Sequence, residues 1–101
     1  MAKIKHVCAF RFRDDVEDSI REDMLNELMS FPKKFPGMKN WLQSRNVSQR
    51  DDRFSHAFIV EFDTEHELLA YLNSSSHETF VKERFRPIIQ ERAIITLQGD
   101  D

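Results

Sequence analysis

The chain has 101 residues, 40% of them hydrophobic and 33% charged, which is enough for one compact core and excludes a disordered chain. A net charge of −3 supplies no positive footprint for displacing nucleic-acid counterions, and no apolar run approaches the roughly 20 residues that cross a bilayer. A single cysteine, Cys8, precludes an internal disulfide and any CxxC zinc site, and two glycines, Gly37 and Gly99, preclude a glycine-rich phosphate loop.

Residues 3–13 alternate. Ile4, His6, Cys8, Phe10 and Phe12 fall on one face, and Lys5, Val7, Ala9 and Arg11 on the other, so a strand with two partly apolar faces is expected, ended by Asp14-Asp15. Residues 17–31 change to helical spacing, with Ile20, Met24, Leu28 and Phe31 on one stripe and Leu25 alongside. Ser19 with Glu22 has the form of a capping box, with Asp14 and Asp15 as competing caps, and Pro32 and Pro36-Gly37 end the helix. A weaker alternation around Trp41 and Leu42 marks a strand over 38–47, and Ser48 to Asp52 a hairpin loop.

Residues 53–62 give the clearest strand, with Phe54, His56, Phe58, Val60 and Phe62 on one face and Ser55, Ala57, Ile59 and Glu61 on the other. Thr64 with Glu67 caps a short helix through Leu72. A further helix covers 77–90, with Phe80, Phe85, Ile88 and Ile89 as its apolar positions and a kink at Pro87. Its cations Lys82, Arg84 and Arg86 are interleaved with Glu78, Glu83 and Glu91, which reads as a solvated face. Residues 92–97 close the order as a strand.

The order β-α-β-β-α-β predicts a ferredoxin-like α+β fold, an antiparallel sheet with helices on one face, in one domain over 1–101 with its core at about 3–97. The opposite strand faces carry Val7, Ala9, Ala57, Ile59 and Ile94. A chain this short has no further element to bury them, so a homodimer packed sheet to sheet through that face is expected. The opening MAKIKHVCAF has no signal-peptide pattern, and a cytoplasmic location is expected.

The titratable residues suggest a site. His6 and His56 lie on strand faces that can both be the helix-covered one. Tyr71, the only tyrosine, ends one helix, and His77 opens the next after three serines. The fold can thus gather three histidines and a phenol in a pocket walled by Phe10, Phe54, Phe58 and Phe80. An apolar wall favours neutral imidazole, a base near neutral pH, and a tyrosine hydroxyl donates to a carbonyl or enolate oxygen. Proton abstraction beside a carbonyl, with ring closure or elimination, suits such a pocket.

The same residues also have structural readings. Strand histidines are often satisfied core or interface groups, His77 can simply start a helix, and Tyr71 can be core with its hydroxyl at the surface. Cys8 reads as a buried small hydrophobe and His66 as exposed. Apart from a set formed by His6, His56 and His77, no ligand spacing is present, so neither metal nor cofactor is expected. An RNA-binding ferredoxin-like sheet would need a basic surface and glycines that the strand 53–62 lacks.

The segments IKHVCAFRFRDD, FPGMKNW, NVS, FSHAFIVEFDTEHELLAYL and HETFVKERFRPIIQERAIITL, in this order and spacing, resemble the stress-responsive A/B-barrel (Dabb) family over about residues 3–97. The resemblance implies a dimeric α/β barrel of two ferredoxin-like sheets. It extends to olivetolic acid cyclase-like polyketide cyclases, and through them implies a cofactor-free tyrosine and histidine, here Tyr71 and His77, supported by strand histidines at His6 and His56. Family members commonly have His-Pro-x-His before the last helix. This chain has Ser74-Ser75-Ser76-His77, and without proline a looser approach to His77 is expected. The functional expectation is a homodimeric barrel-domain protein with a pocket for a small apolar or aromatic carbonyl molecule. The alternative is a cofactor-independent cyclase, lyase or monooxygenase-like enzyme using the Tyr/His pair.

Overall fold

The alternation over 3–13 becomes β1 (Ala2–Phe12) in the computed structural model, which describes residues 2–100. It pairs antiparallel with β3 (His56–Phe62) on one side and β4 (Ile89–Asp100) on the other, and β3 pairs with β2 (Lys39–Arg45). The sheet order β2-β3-β1-β4 is the ferredoxin-like one. His6 stands opposite Val60 and Thr96, Cys8 opposite Phe58 and Ile94, and Phe10 opposite His56 and Arg92. Directly opposed residues share a face, so this register fixes what each face carries.

The helices cover the face of Ile4, His6, Cys8 and Phe10. Helix α1 (Asp18–Met29) buries Met24 and Leu28, and a single turn, α2 (Phe31–Lys34), buries Phe31. The expected Ser19/Glu22 box does not form. The helix starts at Asp18 after Glu17, with no side-chain cap, and Ser19 lies inside it. Arg21 ties down the preceding loop instead, its Nε and Nη2 donating to the Val16 and Arg13 carbonyls at 2.9 and 3.1 Å. Ile20, in the first turn, is exposed. Gly37 ends the connection with φ +89°, a backbone conformation that strains residues with a side chain and favours glycine.

Thr64 caps α3 (Glu65–Leu72), its Oγ1 accepting the Glu67 amide at 3.1 Å as the capping box requires. The last helical region starts and ends two residues earlier than expected and is not one α-helix. Helix α4 (Ser75–Phe80) is capped by Ser74, then passes into a π turn (Val81–Phe85) and a 3-10 turn (Arg86–Ile88). Pro87 cannot donate to an α ladder, and β4 has already begun at Ile89. Among the described residues, twelve of the fifteen buried hydrophobic ones are aromatic or on β1 and β3, including Phe10, Phe31, Phe58, Phe62, Phe80 and Phe85.

The other sheet face has no cover among the described residues. Leu42, Ile95 and Leu97 on it are 62%, 55% and 53% exposed. Val7, Ala9, Ala57 and Ile59 share that face, as expected, but Ile94 does not. Ile94 opposes Cys8 and so points to the helix side. Adjacent isoleucines at 94 and 95 leave the strand's parity open until its register with β1 is known.

Candidate functional site

A cavity of about 140 Å³ opens between the sheet and the helices. Its floor is His6, Cys8 and Phe58; its roof comes from Leu28 and Phe31, from Tyr71 and Leu72 at the end of α3, and from His77, Phe80, Val81 and Phe85 beyond it. Arg92 and Ile94 of β4 form the edge that the helices leave open.

Ser74 builds the junction that presents the polar pair. Its Oγ donates to the Tyr71 carbonyl at 2.8 Å and accepts the His77 amide at 3.2 Å, closing α3 and capping α4 with one side chain. The turn expected to be loose without proline is therefore pinned by hydrogen bonds. It places the Tyr71 and His77 rings 4.5 Å apart, centroid to centroid.

His77 Nδ1 lies 3.1 Å from the Leu72 carbonyl oxygen. A carbonyl only accepts, so Nδ1 carries the proton and Nε2 holds the lone pair of the neutral ring. Burial pulls the His77 pKa below its ordinary value, against the opposing pull of the Leu72 carbonyl and of Glu78. His6, beneath, is 3% exposed and pairs through Nδ1 with Thr96 Oγ1 at 3.1 Å. Burial, and then the charge His77 would carry, lower its pKa as well. Both imidazoles are thus held neutral.

Tyr71 is 4% exposed, with its ring edge-on to His6 at 6.4 Å. Among the described residues no buried side-chain polar atom lacks a partner, and none of them hydrogen-bonds the Tyr71 hydroxyl, so this oxygen must reach open space. Burial, with Cys8 nearby, raises its pKa and keeps it a protonated donor. Burial also raises the Cys8 thiol to about 11, so Cys8 serves as an inert part of the floor. The cavity therefore offers one lone pair and one hydroxyl proton against an apolar wall.

Of the residues expected at the site, His6, Tyr71, His77, Phe58 and Phe80 meet at the cavity. His56, Phe10 and Phe54 do not line it. His56 shares the face of His6, but His6 opposes Val60, so His56 sits four residues away, about 13 Å along the sheet. There it stacks on Phe10 at 5.8 Å and pairs with Ser55 Oγ. Burial and the charges of Arg45 and Arg21 lower its pKa. Phe10 is fully buried beneath these rings. Phe54 precedes β3, in the loop after β2, with the Arg53 guanidinium 5.1 Å over its ring. That loop folds around Asn46, whose Nδ2 donates to the Asp51 and Phe54 carbonyls. With His56 displaced, the three-histidine set does not assemble, and among the described residues no three His, Cys, Asp or Glu side chains gather as metal ligands.

Arg92 is the lining residue least visible in the sequence. Alternation along β4 groups it with Ile94, but only the pairing with β1 assigns that pair to the cavity side.

The profile of the stress-responsive A/B barrel domain family matches residues 4–97. No curated protein matches the chain by sequence. Among solved structures, a Dabb-family protein with a ferredoxin-like fold from Mesorhizobium loti superposes with a TM-score of 0.85 at 20% identity, covering 96% of each chain. The hydroxynitrile lyase of Passiflora edulis gives 0.87 at 18% identity, covering 98% of this chain and 94% of the lyase. A dimeric ferredoxin-like protein of unknown function from Thermobifida fusca gives 0.80 at 21% identity, over 95% and 90% of the two chains. Fold and family profile agree over nearly the whole length, and the chain belongs to the stress-responsive A/B barrel domain family.

Proposed function

We propose that this member of the family acts as a homodimer whose two open sheet faces pack together, each protomer holding a small, mainly apolar molecule between sheet and helices. The observation that carries the reading is the 140 Å³ cavity with an unengaged tyrosine hydroxyl and a neutral imidazole facing one another in an aromatic wall. An apolar cavity of about 150 Å³ is known to take benzene, so a single ring is the right size for the enclosed part. The dimer is supported by the exposed Leu42, Ile95 and Leu97 on an otherwise uncovered face and by the dimeric Thermobifida fusca neighbour. One domain with a core at about 3–97, a cytoplasmic location and no cofactor belong to the same proposal. A lone buried thiol suits a reducing compartment, and among the described residues no helix is long and apolar enough to cross a membrane.

The test is an NMR titration of the isotope-labelled protein with benzaldehyde, a neutral one-ring carbonyl compound. Saturable shifts at Tyr71, His77, Phe58 and Phe80 are expected. An absence of shifts at these residues, or shifts confined to the open sheet face, would contradict the reading.

A second reading is favoured by the tautomer of His77. Its Nε2 is free to take a proton from carbon beside a carbonyl, while the Tyr71 hydroxyl donates to the developing oxyanion. This is the chemistry of a cofactor-independent lyase or cyclase, with monooxygenase-like chemistry as a variant. The Passiflora edulis neighbour, a lyase by name, makes lyase substrates the first to try. His6 would position His77 from below; His56 has no part in it. Turnover should fall at least about a hundredfold in His77→Gln, and turnover unchanged in that variant would remove the imidazole from the mechanism.

A further inference from the structure

The cavity has one charged side chain. Arg92 is the only Asp, Glu, Lys or Arg among its lining residues, and at neutral pH both histidines and the tyrosine there are uncharged. Among the described residues Arg92 forms no ion pair. Its neighbour Glu91, on the opposite face of β4, pairs with Arg11 at 3.5 Å. The register opposite Phe10 puts Arg92 on the helix-covered face with Ile94, and it lines the cavity there.

A guanidinium with no ion-pair partner, at the rim of an aromatic pocket whose lining contains no acid, is available to an anion. Its planar fork of donors matches a carboxylate bidentately. The register gives the axis: Arg92 opposes Phe10, while Thr96, which holds His6, lies four residues along the same strand, about 13 Å away. A one-ring acid is shorter than that span; with its carboxylate on Arg92, its ring lies among the aromatic residues that line the cavity together with Tyr71 and His77.

From this we infer that Arg92 is the anion anchor of the cavity and that its ligand is a one-ring aromatic monocarboxylate, the ring enclosed by Phe31, Phe58 and Phe80 and the carboxylate on the guanidinium. The inference rests on the cavity reading above and adds the ligand's charge and orientation. It also gives Arg92 a specificity role, because a neutral isostere cannot form the charge-assisted bidentate pair with the guanidinium.

The experiment compares sodium benzoate with benzamide on the intact protein and on Arg92→Gln, by NMR titration and calorimetry. Arg92 is exposed and unpaired, so the variant should fold, which its far-UV circular dichroism and NMR spectrum would check. Benzoate is expected to bind at least about tenfold more tightly than benzamide, to lose that advantage in Arg92→Gln and to recover part of it in Arg92→Lys. Benzoate affinity should fall with added salt while benzamide affinity does not. If benzamide binds in the cavity as tightly as benzoate, or Arg92→Gln leaves benzoate affinity unchanged, the anchor is wrong while the cavity reading stands. If neither compound shifts Tyr71, His77 and Phe58, both fall.

Discussion

Replacing Tyr71 with phenylalanine separates the two things that residue does. Its ring is core: it packs on Phe31, Phe35 and Phe62 at centroid distances of 6.1, 4.9 and 5.9 Å and is 4% exposed. Its hydroxyl has no partner among the described residues. Tyr71→Phe keeps the packing, breaks no hydrogen bond and orphans no buried group, so the expected stability change is within about 0.5 kcal/mol. Tyr71→Ala, which loses the ring, should cost about 3–5 kcal/mol. At about 4–8 °C per kcal/mol for a domain of this size, the phenylalanine variant shifts the melting temperature by less than about 4 °C. Urea titrations at one fixed protein concentration read this directly, since dimerisation makes apparent stability concentration-dependent. The same variant should lose the benzaldehyde response at His77 or, on the enzymatic reading, most of its turnover. A loss of more than about 1.5 kcal/mol would refute the reasoning, because it would mean that the hydroxyl holds the fold together.

The other expectations concern acid, the serine cap and the open face. Burial is the largest cause depressing His6, His56 and His77 below 6.5, so the unfolded chain takes up protons before the folded one does. Stability should be fully present above about pH 6.5 and fall as the pH drops through and below that value, seen as a declining urea midpoint between pH 7 and 5. A flat or rising midpoint over that range would contradict the burial argument. Ser74→Ala removes the α4 cap and the bond to the Tyr71 carbonyl, and should cost about 1 kcal/mol while broadening the His77 resonances. Leu42→Asp combined with Ile95→Asp puts charge on the open sheet face and should yield a folded monomer by sedimentation. A dimer that survives both changes would place the interface elsewhere.

The parts of the fold legible in the sequence are those fixed by local chemistry. Alternation over residues 3–13 places His6, Cys8 and Phe10 on one face before any pairing is known, and Thr64 with Glu67 marks the start of α3 to the residue. The six-residue step from Tyr71 to His77 reads as a helix end followed by a helix start, and that is how the pair comes together. What the sequence conceals is set by partners distant along the chain. His56 and His6 share a face, but the register that parts them by four residues is a property of two strands. The side of β4 to which Ile94 and Arg92 belong is likewise decided by Cys8 and Phe10 on β1. Ser19 and Glu22 fit the capping pattern, yet Arg21 reaching back to the Val16 and Arg13 carbonyls anchors the entry, and the helix begins before Ser19. The missing family proline, at Ser75, looks like a loss of stiffness in sequence; in space its neighbour Ser74 supplies both hydrogen bonds of the junction.

Native mass spectrometry of the protein, purified gently from cells that express it, tests the central claim most directly. A dimer carrying the extra mass of a small molecule, released on denaturation and reduced in occupancy by Tyr71→Phe or Arg92→Gln, is the predicted result. A bare monomer would contradict both the sheet-to-sheet dimer and the occupied cavity.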